Sequence, residues 1–368
     1  MSSLPLGALA MPDIEALPSQ PFGPLHLVPL ARARAVEGLS LAVMRGDALD
    51  DGVALAPHGV VTGFEGASPR VAYGTQVLNV RGGVTRDVRA PPLTYGLARR
   101  DATSRVRMLP LGLALEGLLL ACFDARPEAW TRRSQQRTLA RSVRAERSLE
   151  AVVESALRTF ERDARQCGLL LYAADTLLAA YVAPSPAVYA ALHRALVGDL
   201  LGGALQYYLT QHDAAPRPFT LTLPGAAIRT FADLRLALAR SRAPWPAAAA
   251  ALRDGIAPSP LTVRASTKVQ QFTLRRFTTS LALGQGNGLG EVVHRNDHAL
   301  AWLSYLRLSD AQTRRAYLVS EFAAAGWSVR TLAARRTRGA GVADLEKQLR
   351  GAGLEHLLTV MGPGAGRP

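Results

Sequence analysis

Lysine, cysteine and long apolar runs are all scarce in this sequence. Cys122 and Cys167 are its two cysteines, and both have apolar neighbours, which favours buried thiols in a reducing compartment over a disulfide framework or a zinc site. The longest apolar stretches are interrupted by Glu116 and Asp175 and are shorter than the roughly 20 residues of a bilayer span. The first residues lack the basic start of a signal peptide. We therefore predict a cytoplasmic protein that does not bind a membrane.

Acidic residues are also fewer than basic residues. The chain has 43 basic and 29 acidic residues and a formal charge of +14, and a basic surface attracts polyanions such as nucleic acid. Lys268 and Lys347 are its two lysines, so arginine supplies nearly all of the positive charge. Because a GC-rich genome produces the same bias toward arginine, the charge favours a nucleic-acid partner without identifying one.

Motifs of familiar enzyme classes are missing from the sequence. It has no G-x-S-x-G, and neither cysteine has a recognisable partner histidine close to it in the chain. The glycine-rich stretch ahead of Glu291 does not have the spacing of a dinucleotide or phosphate loop, and Asn287 with Gly288 predicts a hairpin turn there. We therefore assign no catalytic residue and predict no cofactor.

One short motif keeps a metal-dependent enzyme as an alternative. The run from His294 to His298 resembles an H-x-x-E-H signature with Asp297 in place of glutamate, and two histidines four apart can share a metal from one helix face. However, His294 ends a predicted strand, Asp297 is placed to cap a following helix, and the sequence offers no third ligand. We therefore favour a structural interpretation of these three residues.

The apolar patterning predicts an α+β body followed by helices. Strands are predicted over residues 21–30, 39–44 and 118–124, with several more between 52 and 96. A long helix rich in arginine is predicted over 127–166, followed by a hairpin that turns at 174–175, one or two helices, a second β region ending at 294, and helices from 298 onward.

The predicted fold class is therefore α+β, with mixed or antiparallel sheets and a long Arg-rich helix, followed by a small all-α domain of three helices. We divide the chain into a flexible N-terminus (1–17), an α+β domain (18–308), a helix-turn-helix-like domain (309–360) and a flexible tail (361–368).

The order of several segments resembles a known bacterial family. The segments are GPLHLVPL near the start, CFDARPEAWTRRSQQ, CGLLLYAADTLLAAYVAPSPAVYAALHRAL, and a glycine-rich hairpin that ends in EVVHR. Together they resemble the domain named for its association with ADP-ribosylglycohydrolases and rhodanese/phosphatases, over about Pro21 to Leu308. The segment YGTQVLNVRGG lacks the acidic residue usual there. The resemblance implies one α+β domain and no particular reaction.

The pattern of the last fifty residues predicts three helices. In the first, the spacing of Tyr317, Leu318, Phe322 and Ala325 predicts one apolar face, and Gly326 predicts its end. Ser328 is a favourable N-cap for a second helix that buries Val329, Leu332 and Ala333. A third helix places Val342, Leu345 and Leu349 inward.

This trio resembles the Fis-type helix-turn-helix that ends many bacterial activators. The resemblance implies that SVRTLAAR is the supporting helix and VADLEKQLR the recognition helix, whose N-terminal residues face the base edges. The turn RRTRGAG is about two residues longer than in that family, and Asp344 and Glu346 are unfavourable beside phosphates. The residues predicted to contact DNA are Arg335, Arg336 and Arg338 on phosphates, Lys347 and Gln348 on bases, and Arg350.

A second basic feature lies in the predicted long helix. Its arginines recur at helical spacing and form one stripe, which either follows a phosphate backbone or is a solvated face partly neutralised by Glu146 and Glu150. The stripe consists of Arg133, Arg137, Arg141, Arg144 and Arg147.

These observations favour a DNA-binding protein over an enzyme. We expect a transcriptional regulator or a nucleoid-associated or stress-linked factor that binds duplex DNA, and a homodimer is a natural way to gain specificity. Two other classes stay open: a metal-dependent hydrolase or ligand sensor in the α+β domain, and a protein-interaction scaffold.

Overall fold

A computed structural model gives the fold. It describes residues 3–4, 11, 13–22, 25–41, 53–56, 61–62, 70–72, 74–79, 87–89, 111–123, 162–173, 176–194, 196–197, 225–243, 261–336, 341–355 and 357–358.

The body is built on a large antiparallel sheet. Ten strands of the described chain belong to it: β1 (Ser3–Leu4), β2 (Glu15–Ala16), β3 (Gln20–Phe22), β4 (Leu25–Ala31), β11 (Gln166–Ala173), β12 (Thr176–Val182), β13 (Leu261–Val269), β14 (Phe272–Thr278), β15 (Asn287–Arg295) and β16 (His298–Leu308). Their order is β1-β13-β14-β15-β16-β12-β11-β4-β2, with β3 also paired to β4. Two smaller sheets of three strands each are formed by residues 87–89, 70–72 and 61–62, and by residues 39–41, 53–56 and 76–79, in these orders.

The smaller sheets and the helices complete the described elements. The remaining strands are β5 (Leu39–Leu41), β6 (Val53–Ala56), β7 (Val61–Thr62), β8 (Arg70–Ala72), β9 (Gln76–Asn79) and β10 (Asp87–Arg89). The helices are α1 (Leu111–Cys122), α2 (Phe231–Arg242), α3 (Asp310–Ala324), α4 (Val329–Arg335) and α5 (Val342–Gly351), with a further helical segment over residues 186–194. No helix of the described residues is both long and apolar enough to span a membrane.

Both faces of the large sheet are buried. On the first face, Leu27, Leu171 and Val293 belong to one apolar core with α1, the small sheet of β5 and β6, and Tyr189 of the helical segment. On the second face, Leu170, Val292 and their neighbours form another core. Because both faces are covered, the central strands are nearly continuous apolar runs, as in LHLVPLA of β4.

The predicted α+β class is confirmed, and several strands are where the patterning placed them. Strands β4, β11 and β12 match the early strand and the hairpin turning at residues 174–175. Ser3–Leu4 and Glu15–Ala16, within the N-terminus predicted to be flexible, pair with β13 and β4. The predicted long Arg-rich helix lies almost entirely outside the described residues.

Two element types were predicted wrongly. The segment 118–124, predicted as a strand, belongs mainly to α1, because an apolar run buried on all sides has no period that distinguishes a helix from a strand. The segment 298–308, predicted as a helix, is β16. Its two buried faces leave no alternation of polar and apolar residues, so its alanines and leucines imitate a helix.

Two turns also differ from the prediction. Residues 162–165 form a turn in which Asp163 Oδ1 accepts a hydrogen bond from the Arg165 backbone N–H at 2.7 Å, so no helix reaches residue 166. Asn287 and Gly288 do not form the predicted hairpin turn but begin β15. The Asn287 amide instead holds the preceding loop, donating to Ala282 O at 2.6 Å and accepting from Thr279 Oγ1 at 2.7 Å.

The three C-terminal helices share the core of the first sheet face. Val319 and Phe322 of α3, Leu332 of α4 and Leu349 of α5 are continuous with the body's apolar cluster. Tyr317, predicted to face inward, is 46% exposed, because the buried face of α3 runs through Thr313, Ala316, Val319 and Phe322. Val342 is also mainly outward, at 38% exposure.

The predicted helix ends are confirmed. Helix α3 ends before Gly326, whose φ is +63°, and the Trp327 N–H donates to Phe322 O at 2.9 Å. The rings of Phe322 and Trp327 meet edge to face at 5.5 Å, the apolar contact that accompanies this type of helix end. Ser328 Oγ accepts from the Thr331 N–H, which starts α4 as predicted.

Close packing at Gly290 generates the first prediction. A Cβ atom there would collide with the Ser304 backbone carbonyl and lie 2.8 Å from Phe277 Cζ, inside a well-packed sheet. We expect Gly290→Ala to lower the free energy of unfolding by about 2 kcal/mol, measured by urea denaturation. Gly225→Ala is the control, because no atom lies within 4 Å of its added Cβ. Equal stability of the two variants would contradict this packing.

Candidate nucleic-acid interface

The inner side of α5 anchors the helix to the core. Leu345 and Leu349 are fully buried, and the Leu354 N–H donates to Leu349 O at 2.7 Å where the helix ends. Gly353 adopts a φ of +71° at this end, the backbone conformation that favours glycine. The rotation of α5 about its axis is therefore fixed by two leucines and a terminating turn.

The opposite side of α5 faces solvent. We call Lys347, Gln348 and Arg350 the outer flank of α5, and all three residues are exposed. The flank lies in the second half of α5 and is accessible from solvent.

Two turn arginines predicted to contact phosphates already have partners within the protein. Arg335 Nη1 donates to Ala324 O at 2.6 Å and thereby satisfies a carbonyl at the end of α3. Arg336 Nη1 donates to Gln348 Oε1 at 3.0 Å and links the turn to the outer flank. The structure thus brings Arg336 and Gln348 together, whereas Arg335 is directed toward the preceding helix.

Other cations of the helical trio have no such partner. Within the described chain, the exposed side chains of Arg314, Arg330 and Lys347 make no hydrogen bond or ion pair. Arg350 differs, because its Nη2 lies 3.2 Å from Glu346 Oε2 one helical turn earlier. Arg330 was not singled out from the sequence, although its place two residues after the Ser328 N-cap indicated an outward position on α4.

The acidic residues of α5 have separate surroundings. Asp344 lies in the first turn, where a carboxylate interacts favourably with the helix dipole. Glu346 is half-buried and is neutralised in part by Arg350. Lys347 is therefore the one cation of the outer flank that carries no partner among the described residues.

Some predicted contact residues lie outside the described residues. They are Arg338, which comes between α4 and α5 in the sequence, and the predicted stripe of Arg133, Arg137, Arg141, Arg144 and Arg147. Six residues separate the end of α4 at Arg335 from the start of α5 at Val342, and the first and last of them are described.

The metal candidates do not converge. Asn296 and Asp297 form a two-residue hairpin turn with φ values of +49° and +62°, so Asp297 does not cap a helix as predicted. Since Arg295 pairs with His298, successive side chains place His294 and His298 on opposite faces of the hairpin. Asp297 instead binds Arg275 Nη2 at 2.6 Å.

The charge state of Asp297 agrees with that role. The hydrogen bond and charge of Arg275 hold the pKa of the Asp297 carboxyl below its usual value, so the carboxylate is ionised and paired. Throughout the part of the chain that the structure describes, no three His, Cys, Asp or Glu side chains are grouped as metal ligands would be.

The two thiols lie in the apolar interior, as predicted, and are free cysteines. Burial, with a smaller contribution from the Glu291 charge, raises the pKa of Cys122 to about 12. Burial also raises the pKa of Cys167 to about 11. Because the thiolate is the nucleophile, neither side chain has the surroundings of a reactive cysteine.

This burial generates the second prediction. We expect both thiols to resist 5,5′-dithiobis(2-nitrobenzoate) in the folded protein at pH 8 and to react fully in urea, because folding keeps them protonated and inaccessible. The measurement is absorbance on release of the coloured thiolate. Stoichiometric reaction of a thiol in the folded protein within seconds would contradict it.

Comparison with known proteins identifies the body of the chain. The ARPP-2 family model matches residues 9–270, and this name agrees with the association domain that the sequence resembles. The match begins and ends earlier than the predicted limits of Pro21 and Leu308, although strands β14 to β16 continue the same sheet to Leu308. It does not reach the three C-terminal helices, and their Fis-type resemblance stays a prediction.

No curated protein and no solved structure matches the chain. The family match spans more than half of the sequence. The chain belongs to the ARPP-2 family.

Proposed function

We propose that the three C-terminal helices bind duplex DNA and that the chain is a transcriptional regulator or a nucleoid- or stress-associated protein. The observation that carries the proposal is the outer flank of α5, exposed on a helix whose other side is fixed in the core by Leu345 and Leu349. A fixed helix with an exposed polar flank is what insertion into a major groove requires.

The cations around this flank suit phosphate binding. Arg330 on α4 has no hydrogen-bond or ion-pair partner among the described residues, so it gives up no contact when it meets a phosphate. Arg336 has one weak neutral partner, the Gln348 amide, so a charge-assisted bond to phosphate can replace it. Arg338 in the same turn adds a further positive charge. Arg335 acts indirectly, by holding the end of α3 beside the turn.

Gln348 and Lys347 contact the base edges in the proposed complex. Glutamine can pair with the adenine edge through two hydrogen bonds, and lysine can donate to guanine. When Arg336 moves to a phosphate, the Gln348 carbonyl becomes available to a base. The Arg336–Gln348 contact thus couples phosphate engagement to base readout.

The remaining charges shape the interface. Arg350 is paired with Glu346, so its net attraction for phosphate is smaller than that of Lys347. Asp344 disfavours close approach of a phosphate at the start of α5 and orients the helix within a groove. The arginine stripe from Arg133 to Arg147 extends the basic footprint.

A homodimer suits this module. One short recognition helix contacts few bases, and two copies on paired half-sites gain specificity through symmetry. The proposed partner is therefore duplex DNA with two related half-sites.

Arg330 and Lys347 have no partner among the described residues, so their charges are available to DNA. We expect Lys347→Gln and Arg330→Gln each to weaken binding to random duplex DNA and to reduce the slope of log K against log salt by about 1, because each removes one positive charge that releases a counterion from the DNA. Fluorescence anisotropy titrations over a series of salt concentrations measure both quantities.

The matched control is Arg240→Gln. Arg240 lies on α2 and is exposed, and its side chain makes no hydrogen bond or ion pair with the described residues, so Arg240→Gln removes the same charge from a helix outside the C-terminal trio. The affinity of the Arg240→Gln variant for duplex DNA, and its salt slope, should stay close to those of the unaltered protein. If all three variants lose affinity equally, net charge alone drives binding and the assignment to α4 and α5 is wrong.

A further inference from the structure

A row of polar side chains crosses the first face of the large sheet inside the apolar core. Arg276 of β14 is paired with Glu291 of β15, and Glu291 is paired with Ser304 of β16. Tyr181 of β12 comes next, because it lies between Ala180 and Val182, which pair with Tyr305 and Trp302. We call Arg276, Glu291, Ser304 and Tyr181 the polar row.

One half of the polar row is fully compensated. The Glu291 side chain is completely buried and receives Arg276 Nε at 2.7 Å. It also accepts from the Thr75 backbone N–H at 3.0 Å and from the Thr75 hydroxyl at 2.5 Å. Arg276 Nη2 in turn donates to Thr75 O at 2.9 Å. The buried charge therefore has an opposite charge and several hydrogen bonds, as stability requires.

The other half is not compensated. Ser304 is 5% exposed and Tyr181 is 3% exposed, and neither hydroxyl has a hydrogen-bond partner in the part of the chain that the structure describes. Burial raises the pKa of Tyr189, and the electrostatic interaction with Tyr181 raises it further. The Tyr189 hydroxyl accepts from Gln166 Nε2 at 2.9 Å and lies 3.2 Å from His193 Nδ1. Two hydroxyls of residues on neighbouring strands are thus without a hydrogen-bond partner among the described residues.

The backbone is irregular at this point. Glu291 pairs with Ser304 and Val292 with Trp302, so Leu303 is an additional residue in β16, and β12 shows a shift opposite the same place. Such a bulge redirects side chains and is over-represented beside functional sites. Here it places Ser304 beside Tyr181 on the first face, which regular alternation of the strand would not do.

A buried hydroxyl without a partner is costly, and one bound molecule that accepts from both hydroxyls would remove this cost. The charge of Glu291 is already matched by Arg276, and both unpartnered groups are neutral. The site therefore has no excess charge with which to bind an ion, and it offers two hydroxyl donors to an acceptor oxygen.

We propose that Tyr181 and Ser304 form an internal binding site for a small uncharged molecule that carries a carbonyl or hydroxyl oxygen. The ligand accepts hydrogen bonds from both hydroxyls and lies between the Glu291 pair and Tyr189. This site belongs to the α+β body and does not depend on DNA binding by the helices. It would make the body a sensor of a neutral metabolite.

The test is a double-mutant cycle of Tyr181→Phe, Ser304→Ala and the double variant, with thermal unfolding as the readout. If both hydroxyls bind one molecule, each single variant lowers Tm, by about 2 °C, and the double variant loses less than the sum of the two. If both hydroxyls are unpartnered, each substitution raises Tm, and the two gains add.

A separate experiment tests the chemical class of the ligand. Acetamide and ethylene glycol serve as the carbonyl and hydroxyl probes, and small molecules released on denaturation are analysed by mass spectrometry. The proposal requires a probe to raise the Tm of the unaltered protein and not that of the double variant, or a released neutral molecule that the double variant lacks. Tyr317→Phe, an exposed tyrosine, is the control and should respond like the unaltered protein.

Two results would overturn the proposal. Additive gains in Tm would show that the hydroxyls are truly unpartnered. A coupled loss in Tm with no response to either probe and no released molecule would show that water alone occupies the site. Neither result bears on the DNA-binding proposal, which is measured with different variants.

Discussion

The apolar core beneath the first sheet face is the constraint on which the rest of the molecule depends. It joins Leu27 and Leu171 of the sheet to Phe322 of α3 and Leu349 of α5 without interruption. The C-terminal helices therefore cannot rotate freely, because turning α5 would expose two leucines to water, a loss of about 3 to 6 kcal/mol. The same burial that stabilises the body leaves Lys347 and Gln348 facing solvent.

Charged side chains are paired in the core and include unpaired members at the surface of the described chain. Within the core, Glu291 is matched by Arg276 and hydrogen-bonded by Thr75, so its charge stabilises one arrangement of β14, β15 and the segment before β9. At the surface, Lys347 and Arg330 are left without partners among the described residues. Surface cations of this kind contribute little to stability, and they attract anions.

The sequence predicted local features better than relationships across strands. The caps at Ser328 and Gly326 and the buried Leu345 and Leu349 follow from side-chain chemistry within one turn, and the structure has all of them. The segment 298–308 could have been recognised as a strand from the two-residue Asn296–Asp297 turn between apolar runs, since both residues tolerate positive φ. Helical propensity of alanine and leucine outweighed that signal.

The polar row could not have been predicted at all. Glu291, Ser304 and Tyr181 are neighbours only through the register of three strands and a bulge at Leu303, and no sequence spacing encodes either. The Arg336–Gln348 contact is similar, because it depends on how α5 packs beside α4. Periodicity predicted most of the buried positions on the C-terminal helices, whereas contacts between elements could be identified only from the three-dimensional structure.

In the proposed complex, α5 presents its outer flank to duplex DNA. Hydrogen exchange of the backbone amides, compared in the free protein and with saturating duplex, tests this arrangement. Protection on DNA binding should be concentrated in residues 329–351, with little change in β11 and β12. DNA binding that leaves exchange in residues 329–351 unaltered would show that α4 and α5 are not the interface.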